Sequence, residues 1–200
     1  MNLSITAIDK KYISNVTDVH LKAFPSFFLS FLGPRFLREF YGSFLSDPVG
    51  IGFVAENEKG EVIGVIVGPL VPDGYFKRLL IRRWWAFCLA SIAAVLKNPS
   101  IIKRLFRAVF YRGEAPAGQP RALLSSIAVA PEYQGKGIGE ALVKRWAEEV
   151  KTRAGHGCYL TTDAVGNDKV NNFYKKLGWK VETSYITPEG RKMNRYVIDF

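Results

Sequence analysis

The sequence predicts an α/β (α+β) fold with a helical insertion between its third and fourth strands, and three segments carry that prediction. Residues 51–56 and 62–67 are two β-rich runs around the polar turn Asn57-Glu58-Lys59-Gly60, a hairpin signal. Residues 122–130 read as a buried strand that leads through Pro131-Glu132-Tyr133 and a glycine-rich loop into an amphipathic helix. Residues 168–177 read as a helix closed by Gly178, followed by a second hairpin, 179–186 and 192–198, around Pro188-Glu189-Gly190.

In chain order, residues 3–7 read as a short strand, and 13–24 as a helix with Val16, Val19 and Ala23 on one side, closed by Pro25. From 27 to 45 aromatic residues recur at near-helical spacing, and Gly33-Pro34 breaks the run into a helical pair. After the first hairpin the texture changes. Residues 84–96 are apolar except for Ser91 and helical in character, and Asn98-Pro99 has the form of an N-cap followed by proline at the first helical position, which predicts a second helix over 99–111. Residues 113–120, with two prolines and two glycines, lead back to the core. In the helix opening at Ile138, the apolar positions Ile138, Ala141, Leu142, Trp146 and Val150 share a face, with Glu140, Lys144, Arg145, Glu148 and Glu149 mostly off it. Residues 158–162 form a short strand. At 200 residues the chain is expected to be one domain, 1–200, with a basic helical insertion at 71–112.

Composition narrows the function. The chain is 48% hydrophobic and 23% charged without a low-complexity tract, as in a soluble globular protein. The Met1-Asn2-Leu3-Ser4 start has no basic or apolar signal region, and Cys88 and Cys158 are the only cysteines. The expected compartment is therefore the reducing cytoplasm, with the inner membrane surface as a peripheral location. His20, Cys88, His156 and Cys158 lack the paired spacings of a zinc site, so no metal is expected. The net charge of +10 is concentrated in residues 71–112, where nine lysines and arginines face Asp73 alone, a local net of +8. No recognised nucleic-acid motif accompanies it, so nucleic acid is not an expected partner. The 13-residue run 84–96, about 20 Å as a helix, is too short for about 30 Å of hydrocarbon. Three covers for it stay open: the domain itself, a second copy of the chain in a homodimer, and an anionic membrane surface or lipid-linked acceptor.

The chemistry concentrates in the last third. Gln134-Gly135-Lys136-Gly137-Ile138-Gly139 lies between a strand and a helix, where successive N–H groups and the helix N-terminus make an anion site, and Lys136 adds charge. The pattern is Q-x-x-G-x-G, not the G-x-G-x-x-G of dinucleotide folds, and no G-K-[ST] follows as in a Walker loop.

Residues 127–142, Ile127-Ala128-Val129-Ala130-Pro131-Glu132-Tyr133-Gln134-Gly135-Lys136-Gly137-Ile138-Gly139-Glu140-Ala141-Leu142, resemble motif A, [QR]-x-x-G-x-[GA], of the GCN5-related N-acetyltransferase (GNAT) family. Asn167-Asp168-Lys169-Val170-Asn171-Asn172-Phe173-Tyr174-Lys175-Lys176-Leu177-Gly178-Trp179 resembles the same family's motif B, N-x-x-A-x-x-F-Y-x-x-x-G-F. The two together span about 122–180. The resemblance implies a GNAT fold with a mixed central sheet flanked by helices, and acetyl-CoA or another acyl-CoA as co-substrate. It implies pyrophosphate on the amides of Gln134, Gly135, Lys136, Gly137, Ile138 and Gly139. Pantetheine would lie beside Ile127, Ala128 and Val129, where the strand splays from 158–162, with Asn167 on the cofactor and Tyr174 returning a proton to the CoA thiolate. Read without the motif, Asn167 is a helix cap and Tyr174 a packed aromatic. Many members carry a strand-borne glutamate as base; residues 122–130 offer only Ser125 and Ser126. Asp163 is then the best-placed carboxylate, with a water relayed through Ser125 or a plain turn residue as the competing readings. The acceptor is a small-molecule amine. The aromatic N-terminal segment with its basic insertion resembles bacterial members linked to surface-polysaccharide synthesis, which implies an amino-sugar nucleotide. A non-catalytic acyl-CoA-binding module docking through 71–112 is the alternative.

Overall fold

The computed structural model of the chain describes residues 3–97 and 120–200. In order these are β1 (Ser4–Ala7), α1 (Ile13–Ala23), α2 (Phe28–Phe31), α3 (Pro34–Ser46), β2 (Gly50–Glu56), β3 (Val62–Pro69), α4 (Tyr75–Lys97), β4 (Ala122–Leu123), β5 (Ser126–Val129), α5 (Ile138–Thr152), β6 (Gly157–Asp163), α6 (Asp168–Lys176), β7 (Lys180–Ile186) and β8 (Lys192–Asp199), with short 3-10 turns at Lys10–Tyr12 and Pro131–Tyr133.

Local chemistry accounts for the boundaries. The β2–β3 turn closes on Asn57, whose Oδ1 accepts from Lys59 N–H and Glu61 N–H, both at 3.0 Å. Pro34 stands in the first turn of α3, where its missing N–H costs nothing. α4 begins nine residues before the apolar run does, because Tyr75 anchors its first turn. That residue is 1% exposed, its ring stacks on Phe44 at 5.3 Å, and its hydroxyl meets Ser43 Oγ at 3.0 Å. The helix is broken at Arg83 (φ −132°, ψ 21°). The helix expected over 99–111 lies outside the described residues.

The strands form two four-stranded sheets, β1-β2-β3-β5 and β4-β6-β8-β7, in which only β4 and β6 pair parallel. One core lies between the first sheet and α1, α3 and α4, with Val16, Leu37, Tyr41, Val65, Val67 and Ala128 among its members. The other packs α5 and α6 on the opposite face, where Leu142 and Trp146 meet Ile66, Leu124 and Leu160. On α5, Val143 is buried and Ala141 only partly so, a small rotation from the face read off the periodicity. The segment 122–130 is not the single strand expected. It is two strands in two sheets, because the chain changes partner at Leu124 and Ser125.

Candidate active site

That change of partner makes the site. Leu124 N–H donates to Tyr159 O on β6 at 2.9 Å, and the next amide, Ser125 N–H, donates to Val67 O on β3 at 3.0 Å. Beyond Ser125, β5 follows β3, with Ser126 opposite Val67 and Val129 opposite Gly64, while β6 follows β8. The edges of β5 and β6 therefore diverge. Gly68 permits the close approach at the vertex: a Cβ there would stand 1.9 Å from Leu123 O and 2.8 Å from Trp146 Cζ2.

The open end of the wedge meets the glycine loop. Gln134 to Gly137 are exposed, and Gly135 and Gly137 have φ of 78° and 81°, the left-handed region that glycine enters without strain. Gln134 reaches back, its Nε2 donating to Val129 O at 3.1 Å, and so ties the loop to the end of β5. Ile138 buries its side chain and leaves only its amide to the loop. The Lys136 ammonium lies 4.9 Å over the Tyr133 ring. Among the described residues, no loop amide has a carbonyl partner between Gln134, bonded to Pro131 O, and Ala141, bonded to Gly137 O. Those free N–H groups, at the N-terminus of the 15-residue α5, form a positive concavity.

Tyr174, on α6, is 4% exposed and wedged among Phe173, Trp179 and Tyr196 at ring separations of 5.1, 5.7 and 5.8 Å. Its hydroxyl has no hydrogen-bond partner among the described residues, and burial pushes the phenol pKa up. Asn167 precedes α6 but does not cap it with its side chain. Its amide donates instead to Thr162 Oγ1 at 2.8 Å, beside the β6 edge. Asp163 stands at the end of β6 with both carboxylate oxygens held by Arg191, at 2.6 and 3.0 Å. Asn171, which sequence reasoning passed over, joins these pieces: its Nδ2 donates to Asp163 O and Asn167 O, and its Oδ1 accepts from Tyr196.

The sequence profile described as the Acetyltransferase (GNAT) family matches residues 15–179. The chain belongs to the GNAT acetyltransferases. Solved structures repeat the fold at low identity. The ribosomal-protein-S18-alanine N-acetyltransferase from Escherichia coli is 16% identical, with 99% of this chain and 94% of that one covered at a TM-score of 0.61. The spermidine/spermine N-acetyltransferase from Vibrio cholerae is 19% identical, covering 98% and 92% at 0.56. A candidate streptothricin acetyltransferase from Bacillus anthracis, solved with acetyl coenzyme A, is 15% identical over 80% and 68%, at 0.53.

As a GNAT protein the chain departs from the strand-borne carboxylate in a specific way. Neither β4 nor β5 carries an acid. On β5 the residue facing α1 and α3 next to the vertex of the wedge is Ser126, whose Oγ is 3.2 Å from Tyr41 Oη. Tyr41 Oη in turn is 2.8 Å from His20 Nδ1, and sequence separations of 85 and 21 residues hid these two contacts. Ser125, the other serine, buries its Oγ without a hydrogen-bond partner among the described residues. Among the described residues no cluster of His, Cys, Asp and Glu could hold a metal ion. No described helix is long and apolar enough to cross a membrane.

Proposed function

We propose that this protein transfers an acetyl group from acetyl-CoA to the primary amine of a small molecule, by direct attack of the amine on the thioester. Acetyl-CoA supplies the activated acyl group. One observation carries the reading: a wedge between two sheet edges that ends on a row of unpaired loop amides. These fit the substrate's parts, a narrow arm and a pyrophosphate. In this reading the amides of Gln134, Gly135, Lys136, Gly137, Ile138 and Gly139 hold the pyrophosphate, and the backbone of Ile127, Ala128 and Val129 lines the arm. Asn167 orients the β6 side. Tyr174 acts as the acid, because a buried phenol stays protonated at neutral pH and an uncommitted hydroxyl can donate to a departing thiolate. Asp163 is not given the base role, since the Arg191 guanidinium engages both of its carboxylate oxygens. The test is thiol release from acetyl-CoA with a panel of amines, polyamines, amino-sugar nucleotides and peptides. Turnover supports the reading. Acetyl-CoA binding without turnover on any amine would leave the non-catalytic binding module.

A second reading concerns α4 and deepens the partner assignment. Ile81, Trp84, Trp85 and Leu89 are 67, 62, 54 and 59% exposed, with Arg82 beside them, within a segment carrying most of the chain's net positive charge. Beyond the break at Arg83, the four-residue spacing of Trp85 and Leu89 places them on one side of the helix, with Trp84 next to Trp85 in sequence. Aromatic side chains next to cations suit the interface of an anionic bilayer. Sedimentation with anionic and neutral vesicles at low and high salt tests it. Equal binding to both lipids would favour a homodimer or other protein cover for this face.

A further inference from the structure

The fold buries one polar chain that the reading above leaves without a task. His20, 1% exposed on α1, meets Tyr41 Oη on α3 through Nδ1 at 2.8 Å. Tyr41, itself fully buried, meets Ser126 Oγ on β5 at 3.2 Å. His20 Nε2 is buried with no hydrogen-bond partner among the described residues. Burial holds the imidazole pKa down to about 4, so the ring is neutral in working conditions. Burying three polar groups and leaving a ring nitrogen unpaired is destabilising, of the kind that persists where the far end of the chain is used.

That far end is half-buried Ser126, one residue beyond the vertex at which β5 leaves β6. Its side chain shares a face with Ala128 and Ala130, which lie in the core under α1 and α3, on the side of the sheet away from α5. Proton counting defines what it can offer. Tyr41 has one hydroxyl proton and two partners, so it donates to one and accepts from the other, and the tautomer of His20 sets the direction. In one direction Ser126 uses its proton on Tyr41 and keeps two lone pairs; in the other it uses one lone pair and keeps the second. Either way an acceptor site on Oγ remains open.

Resting on the acetyl-transfer reading, we infer that Ser126 Oγ receives an N–H of the acceptor amine and holds its lone pair toward the thioester. Tyr41 and His20 are positioning residues that fix the Ser126 hydroxyl. The bond formed is N to acetyl carbon and the bond broken is acetyl carbon to sulfur. The amine proton leaves to water beside Ser126, and His20, neutral and enclosed, holds the chain in place rather than taking that proton.

The experiment uses full-length protein, acetyl-CoA and the best amine from the panel. Ser126→Ala and Tyr41→Phe each lower kcat/KM for the amine by about 10- to 100-fold, with the acetyl-CoA Kd from calorimetry within about twofold. The double variant is no worse than Ser126→Ala, because the pair acts as one unit. His20→Asn, whose amide can reach Tyr41, retains more activity than His20→Leu. Ser43→Ala is the structural control, removing another buried serine–tyrosine contact, to Tyr75, that does not involve Ser126; it moves Tm and leaves the amine constants alone. Amine kinetics unchanged in Ser126→Ala, or losses in Tyr41→Phe that add to those of Ser126→Ala, overturn the inference while acetyl transfer stands. Wild-type protein that releases no thiol with any amine overturns both.

Discussion

Replacing Gly137 with aspartate and, separately, with asparagine separates the charge of the loop from its shape. A side chain at this position meets nothing within 4 Å, and the φ of 81° is one that Asp and Asn tolerate better than other residues. Position 137 is also the N-cap of α5, but its backbone is left-handed, so both variants should lower Tm by a similar few degrees. The effect on a bound pyrophosphate is different. A carboxylate at about 5 Å in water repels each phosphate charge by roughly 0.8 kcal/mol, hence by about 1.7 kcal/mol for two charges, or roughly 20-fold in Kd. Isothermal titration with CoA should give that loss for Gly137→Asp, a much smaller one for Gly137→Asn, and a narrowing gap as salt is raised. Equal affinities of the two variants would refute the placement of phosphate on this loop.

Three further outcomes follow from the same geometry. Tyr174→Phe keeps the ring among Phe173, Trp179 and Tyr196 and removes only the unpartnered hydroxyl, so kcat should fall by about 10- to 1,000-fold with little change in acetyl-CoA affinity; an unchanged kcat with chemistry rate-limiting would give the proton to another donor. Gly68→Ala drives a Cβ into Leu123 O and should cost roughly 1–3 kcal/mol, or about 2–12 °C in a melt, and an unaltered Tm would mean the vertex is not held there. His20 titrates at about 4 when folded against 6.5 in the free side chain, so between those values the unfolded chain binds the extra proton and stability falls as pH falls, by about 3 kcal/mol in all. Above pH 6.5 this term vanishes. Denaturant melts from pH 7 to 4 should be less steep in pH for His20→Asn, and parallel curves would show that His20 is not held neutral.

What the sequence made legible was whatever repeats locally. The Asn57–Gly60 turn, the break at Gly33-Pro34, the α5 stripe and the two motifs are short-range patterns, and each appears within a residue or two of its expected place. The division of 122–130 was hidden because Leu124 and Ser125 are as compatible with one strand as with two; only their hydrogen-bond partners differ. The early start of α4 depended on Tyr75 finding Ser43 and Phe44 on another helix. His20 entered only as one of four scattered residues without zinc-site spacing, since nothing in its neighbourhood announces Tyr41 or Ser126. Asp163 read as the best-placed carboxylate or a turn residue, and its pairing was hidden because Arg191 lies 28 residues away, across the β7–β8 turn.

The pair of amides at Leu124 and Ser125 also sets a scale along the wedge. Neighbouring peptide groups, joined by a single Cα, are bonded one to β6 and one to β3. From Ser126 to Val129 the chain advances by three strand rises, about 10 Å, along β5. An extended arm lying beside that stretch would therefore reach from an amine held at Ser126 to phosphates on the loop after Val129, with the length of β5 as its ruler.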